Sequence, residues 1–366
     1  MATEAVGTRT ERAPYEEFIA HTNWPVVSGA GVESLADLEL GEARPDGVRG
    51  AVVQLEGMQG LSGLVVLELP IGSSSGTVRH LYEEWILVLS GSGTVEFEAS
   101  GGAGLAAGQT VTFPWRQSSV FAVPLNMRHR LRNTGDVPAR LACITNAPLF
   151  MDLLGSADAV FQTNLTFPER ERALFVLPRA GEMGMADPGG FGNHPVLRCA
   201  VLEDVRALDL PDAVDIRGEG FGFVSLEMGD GIFGAHVSEV RERYMSNAHW
   251  HMGGAILICV EGNGYSLAWP AEAGTRPFES GNSEEVRRQD YVPTGVVAVG
   301  IGWYHQHLNT GRGSMRQVAF RYGVGATGAL FVQAHNATRS HTIAVEDLDP
   351  QIGADYRQAL SNGHRA

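Results

Sequence analysis

Apolar residues along this chain fall into short runs separated by Gly, Ser, Pro and Asn. GLVVLELPIG (63–72), EWILVLSGSGTVEFEA (84–99), QTVTFPW (109–115) and SSVFAVPL (118–125) are the runs of the first half. FGFVSLEMG (221–229), GAILICVEGNGYSLAWP (254–270), GVVAVGIG (295–302) and MRQVAFRYG (315–323) are those of the second. Val, Ile, Leu and Phe dominate them, and the turn residues between them recur at short intervals. That pattern predicts strands, and strands this short and regular suit a sandwich or jelly-roll barrel. Helical spacing is confined to a few places. PLFMDLLGSADAVFQTN (148–164) reads as helix, as does a short piece around Tyr15–Ala20. In the tail, Asp349-Pro350 starts a predicted helix that Gly363 could end. GEMGMADPGGFGNHP (181–195) reads as a surface loop.

The runs repeat. With His80 laid on His251, Gly91-Ser92-Gly93 falls on Gly262-Asn263-Gly264, and Glu68 falls on Glu239. Further on, His129-Arg130-Leu131-Arg132-Asn133-Thr134-Gly135 parallels His305-Gln306-His307-Leu308-Asn309-Thr310-Gly311. The offset is 171 residues at the first landmarks and 176 at the last, which one longer loop accounts for. A duplicated all-β module follows. The predicted division is an N-terminal segment (1–45), a first barrel (46–147), a linker with a short helix (148–195), a second barrel (196–325) and a helical tail (326–366).

Composition narrows the function. The 27 Arg and Lys against 42 Asp and Glu give a net charge of −15, which disfavours nucleic-acid backbone binding. Every basic residue is arginine, so Schiff-base chemistry and a phosphate-loop lysine are excluded. GSSSG (72–76) is therefore a hairpin loop rather than a phosphate cradle. Cys143, Cys199 and Cys259 each sit in an apolar run and read as buried, reduced thiols. No apolar stretch is long enough to span a bilayer, and the N-terminus lacks a signal-peptide core, so the expectation is a cytoplasmic protein with no membrane partner. Gly-x-Ser-x-Gly and His-Glu-x-x-His are absent.

Histidines carry the candidate chemistry. His249-Trp250-His251 places two imidazoles on one strand face, and His305 and His307 share the face of a later strand. Converging imidazoles suit Fe, Zn, Cu or Ni. By the same parity Trp303 points into the barrel as a candidate pocket residue, while Trp250, Tyr304 and Gln306 point out. In the first module His80, Glu84 and His129 form a possible two-histidine, one-carboxylate set. With Arg79, Arg128 and Arg130 beside it, a Glu84–arginine pair is an equally good account. Arg243 or Arg316 could hold a substrate carboxylate, with exposure as the default for both.

These residues resemble the cupin superfamily, in particular two-domain cupins. The cupin pattern is Gly-x5-His-x-His-x3-4-Glu-x6-Gly followed by Pro-x-Gly-x2-His-x3-Asn. In the second module His249, His251, Gly262, Gly302, His305 and Asn309 match it, with Ala255 in place of the glutamate and Gly300 in place of the proline. In the first, His80, Glu84, Gly91, Pro124, His129 and Asn133 match, with Val78 in place of the first histidine and Asn126 in place of a glycine. The resemblance implies an all-β pair of tandem jelly-roll barrels and a main metal site at His249, His251 and His305. It implies a second site at His80, Glu84 and His129. His307 would be a fourth ligand, a supporting partner or a base. An all-imidazole triad looks like that of gentisate-type and thiol dioxygenases. The resemblance therefore implies Fe(II), a small aromatic or carboxylated substrate, O2 as co-substrate, and a homodimer or higher homo-oligomer. An O2-independent isomerase or decarboxylase using Mn, Ni or Zn, or a non-catalytic ligand-binding protein, are the alternatives.

Overall fold

A computed structural model describes residues 13–177, 182–185, 195–229, 231–251, 253–322 and 342–363. Each half builds one large sheet and one small sheet. In the first half the large sheet runs Val26–Gly29, Arg49–Leu55, Gly63–Leu69, Ala139–Thr145, Glu84–Ser90, Val120–Val123, Val201–Leu202. In the second it is Pro195–Arg198, Phe221–Glu227, Phe233–Val240, Met315–Tyr322, Ala255–Glu261, Val296–Val299, Gly31–Val32, with Glu182–Met185 added at one edge. The two orders correspond strand for strand. The small sheets correspond as well: Thr110–Arg116, Ser92–Glu98 and Arg128–Asn133 against Arg287–Tyr291, Gly264–Pro270 and Trp303–Asn309. Two tandem jelly-roll barrels result.

Each large sheet borrows its last strand from outside its own module. Gly31–Val32, which precedes the first barrel, pairs with Val296 and Val297 of the second. Val201–Leu202, from the second half, pairs with Val120 and Phe121 of the first. The exchange follows from how the sheets pack. The faces turned towards each other are apolar and share one core, with Val53, Val66, Trp85 and Leu87 against Val237, Ile256, Ile258 and Phe320. Alternate residues of the same strands fill the barrel interiors: Ile86 and Val88 in the first, Ala255 and Leu257 in the second. Burial on both faces explains the unbroken apolar runs WILVL and AILICV. Polar ties reinforce the join. Trp85 Nε1 donates to the Phe233 carbonyl at 2.8 Å, and Glu83 accepts from the backbone amides of Ile232 and Phe233 at 3.1 and 2.8 Å.

The duplication extends to individual contacts. Asn133 donates to the carbonyls of Leu69 and Val137 and accepts from Gly135, while Asn309 donates to Val240 and Gly313 and accepts from Gly311. Glu68 pairs with Arg140 and Glu239 with Arg316, at 2.8 and 2.7 Å. Gly91 and Gly262 both turn at positive φ, +81° and +82°, where a Cβ would lie 2.7 Å from the Cα of Ala139 or of Met315. Only glycine fits that hairpin.

Several sequence expectations are met. Helices occupy Pro14–Thr22, Ala147–Leu154, Ala157–Phe161 and Pro350–Gly363. The three cysteines are free and buried. Others need correcting. Glu182–Met185 is an edge strand paired with Pro195–Arg198, not loop; the remainder of that glycine-rich stretch lies outside the described residues. Arg316 is structural: it is buried against Glu239 and donates to the carbonyls of Val205, Arg206 and Leu208. Arg243 is exposed. Among the described residues no helix is long and apolar enough to cross a membrane.

Candidate functional site

In the second barrel the two-residue strand Ala248–His249 lies antiparallel to Trp303–Asn309, with His249 directly opposite His305. His251 lies just past the strand end and turns back towards both. Ring centroids are 4.0 Å apart for His249–His305, 5.0 Å for His251–His305 and 5.7 Å for His249–His251. One ring nitrogen from each lies within 4.8 Å of the others, a spacing one ion can bridge, and all three residues are buried. Backbone carbonyls set the ring orientations. His249 Nδ1 lies 3.2 Å from the Asn247 carbonyl, and His305 Nδ1 lies 3.2 Å from that of Trp303. With Nδ1–H donated to a carbonyl, Nε2 keeps a free lone pair, as metal-ligating histidines require. Burial pushes both rings well below the usual imidazole range; Arg217 beside His249, and the neighbouring His307 ring beside His305, act in the same direction. Neutral imidazoles are the ligand form.

The first barrel holds a corresponding cluster with different chemistry. His80 Nε2 is 3.1 Å and His129 Nε2 3.8 Å from Glu84 Oε2, and the three ligand atoms again fit within 4.8 Å. His80 Nδ1 faces the Tyr82 carbonyl and His129 Nδ1 that of Met127. The Tyr82 ring lies flat on His80, 3.8 Å between centroids. Burial acts to raise the Glu84 carboxyl, but the His80 hydrogen bond and the charges of His80 and His129 outweigh it and hold the group below its usual range. The Cys143 thiol, kept protonated first by burial and then by Glu84, donates to that carboxylate. The arginine alternative for Glu84 is not realised. Arg79 bonds Asn164, Arg128 pairs with Glu98 and Arg130 with Glu96.

His307 stands outside the triad but lines the same cavity, and its Nδ1 is 2.8 Å from Ser266 Oγ. Trp303 is displaced from its expected place. It faces a separate cavity of about 110 Å3 with Glu56, Gln289 and Val299, and Arg287 lies over its ring at 4.7 Å. The register explains this. Trp303 pairs with Pro270 at the strand start, two residues short of His305, so it opens on a different level of the barrel.

Two arginines went unnoticed in the sequence. Arg217, from the short helix Val214–Arg217, and Arg321, from the strand Met315–Tyr322, both line the histidine cavity. Burial and then the charge of Arg321 push Arg217 down to about 9, and burial pushes Arg321 down to about 10. Both remain cationic at neutral pH. Among the described residues lining this cavity there is no carboxylate.

Residues 65–145 match the cupin domain family model. Two structures of oxalate decarboxylase from Bacillus subtilis superpose on nearly the whole chain. A two-residue deletion variant gives a TM-score of 0.51 at 11% identity over 88% of this chain and 86% of that one. A second, solved in work on that enzyme's Mn(II) centers, gives 0.50 at 12% identity over 87% and 86%. The chain has the two-domain cupin fold. Nothing among curated protein sequences matches it. In this two-domain cupin fold, both candidate clusters sit at corresponding strands of the two barrels, each lacking a different member of the four-ligand cupin pattern: Val78 stands for a histidine in the first, Ala255 for the glutamate in the second.

Proposed function

We propose that this bicupin is a metal-dependent enzyme that breaks or rearranges bonds in a small organic acid without O2, as a decarboxylase or isomerase does, and that the second barrel is its catalytic centre. The observation that carries this reading is the buried triad His249, His251 and His305 beside two cationic arginines in one small cavity. The donor set fits a divalent cation: three buried imidazoles, two of them with Nδ1 engaged by a backbone carbonyl. Likeness to oxalate decarboxylases, one described through its Mn(II) centers, favours manganese and decarboxylation over the ferrous dioxygenase expected from the triad alone. The cavity is small, about 20 Å3, which favours the smallest acids over an aromatic ring.

A bound divalent ion would supply Lewis acidity and open coordination positions. The chain supplies the rest. Arg217 and Arg321 bind and orient a carboxylate. Phe221, Phe223 and Leu257 form an apolar wall that keeps water out. His307 is neutral, pushed down to about 3 by burial and then by Arg217, so it adds no positive charge to the cavity at pH 7. Its Nδ1 contact with Ser266 fixes the ring. The absence of a carboxylate in the triad favours the ferrous reading as the competitor. The test is turnover of small mono- and dicarboxylates by Mn(II)-loaded and Fe(II)-loaded protein under strict anaerobiosis. Product formation without O2, lost in His305→Ala, is expected. Turnover only with Fe(II) and stoichiometric O2 uptake would establish the dioxygenase instead.

A further inference from the structure

Trp303 stands in a cavity of its own, and the chain departs from the cupin pattern at the residue beside it. Gly300 takes the place of the pattern's proline, and a Cβ on it would lie 3.1 Å from Cδ1 and 3.2 Å from Nε1 of the Trp303 ring. Gly57, in the turn after Arg49–Leu55 of the first barrel, closes on the same spot: a Cβ there would lie 3.1 Å from the Gly300 Cα. Bare backbone at both positions gives the indole its place at the seam between the barrels. The cavity it faces, about 110 Å3, is walled by Val297 and Val299 of the large sheet, Ser266 and Ala268 of the small sheet, and Ala30 beside the exchanged strand Gly31–Val32. It shares no lining residue with the histidine cavity. The two stand back to back through the Ser266–His307 contact.

The lining selects what can enter. Among the described residues, Glu56 and Arg287 are its charged members, and they answer each other at 2.5 Å. An ionised ligand would lose water with no opposite charge left to meet it, so the occupant is neutral. The walls are apolar, and the Trp303 ring favours an aromatic partner, a contact worth more than its area alone. An apolar cavity of about 150 Å3 takes benzene. One of about 110 Å3 whose Arg287 and Glu56 side is half exposed takes a single ring of that size. Gln289 supplies the polar end. Its side chain packs against Gly31, with Cδ 3.0 Å from where a Cβ on that glycine would lie, and no described protein group hydrogen-bonds its amide.

We infer that this cavity is a second binding site, apart from the histidines, for a small neutral aromatic carrying one hydroxyl: a phenol, with its ring against Trp303 and its hydroxyl on the Gln289 amide. It needs no metal and stands independently of the proposed function.

The experiment titrates the full, metal-loaded chain with phenol by calorimetry. One phenol per chain is expected, and toluene, the same ring without the hydroxyl, should bind about tenfold more weakly. Ala268→Leu puts three more carbon atoms into the cavity and should weaken phenol at least about tenfold. Gln289→Leu, at a half-buried position, should weaken phenol about three- to tenfold and bring toluene level with it. His305→Ala should bind phenol as the unaltered protein does, because His305 does not line this cavity. No phenol binding, or equal phenol affinity in the unaltered protein and both cavity variants, overturns the inference. Toluene binding as tightly as phenol in the unaltered protein overturns the ligand class. Phenol binding lost in His305→Ala places the ligand at the histidines and overturns the separate site. Failure of metal uptake alone overturns only the proposed function.

Discussion

Metal binding should show directly as stability, and its size follows from the chain itself. A ligand that binds only the folded state at 100 times its dissociation constant adds about 2.7 kcal/mol. Unfolding entropy of roughly 2.1 cal/mol/K per residue over 366 residues gives about 0.8 kcal/mol/K. One saturated site should therefore raise Tm by about 3–4 °C and two by about 7 °C. The two clusters share no residue, so the contributions separate. His305→Ala should halve the Mn(II)-induced shift, His129→Ala should halve it too, and the double variant should abolish it. Both residues are buried, so each change also costs stability by itself. Comparing each variant with and without metal removes that cost. The assay is scanning calorimetry of metal-stripped protein, with Mn(II) set from a dissociation constant measured by titration. An undiminished shift in the double variant would place the metal elsewhere. No shift in the unaltered protein, with metal binding shown absent, would remove the proposed function.

Acid should destabilise the metal-free protein. His129 is pushed down to about 4 by burial and then by His80, and His249 and His305 lie well below the usual range. The unfolded state then binds more protons between pH 6.5 and the folded values, so stability is full above pH 6.5 and is lost as pH falls through that window. His129 alone accounts for about 3 kcal/mol by pH 4. Urea midpoints unchanged between pH 7 and pH 4.5 would contradict the buried neutral rings. Arg316→Met should cost about 3 kcal/mol in urea unfolding because it leaves buried Glu239 with only its longer 3.6 Å pair to Arg241, and Glu239→Gln in the same chain should recover part of that. Gly262→Ala should cost about 1–3 kcal/mol more than Gly104→Ala. Both glycines have positive φ, +82° and +88°, but only Gly262 faces backbone at 2.7 Å. Equal losses would show that φ alone sets the cost.

The duplication was legible because a strand's alternation and its hairpin glycines are local properties. Gly91 and Gly262, Asn133 and Asn309, and the histidine parities all follow from spacing, and the structure places them as equivalents. The exchanged strands were not legible. Gly31–Val32 and Val201–Leu202 are two residues long, and what makes them strands is the edge of a sheet distant in sequence. Trp303 shows where parity stops. Alternation gives the face of a strand but not the level, and one level, two residues along the strand, separates its cavity from that of His305.

Arg321 is the more instructive omission, because the signal was present. Along Met315–Tyr322 the residues Val318, Phe320 and Tyr322 enter the core between the modules, so Met315, Gln317, Ala319 and Arg321 must point into the barrel. A run reading MRQVAFRY looks like an amphipathic strand with a solvent face. It is buried at every position, so its polar face is the lining of the cavity. Packing of the two large sheets against each other turns that face inward, and nothing within the run records it. A strand buried on both sides leaves no solvent face for a charge, so an arginine there must be answered from within the barrel or by what enters it.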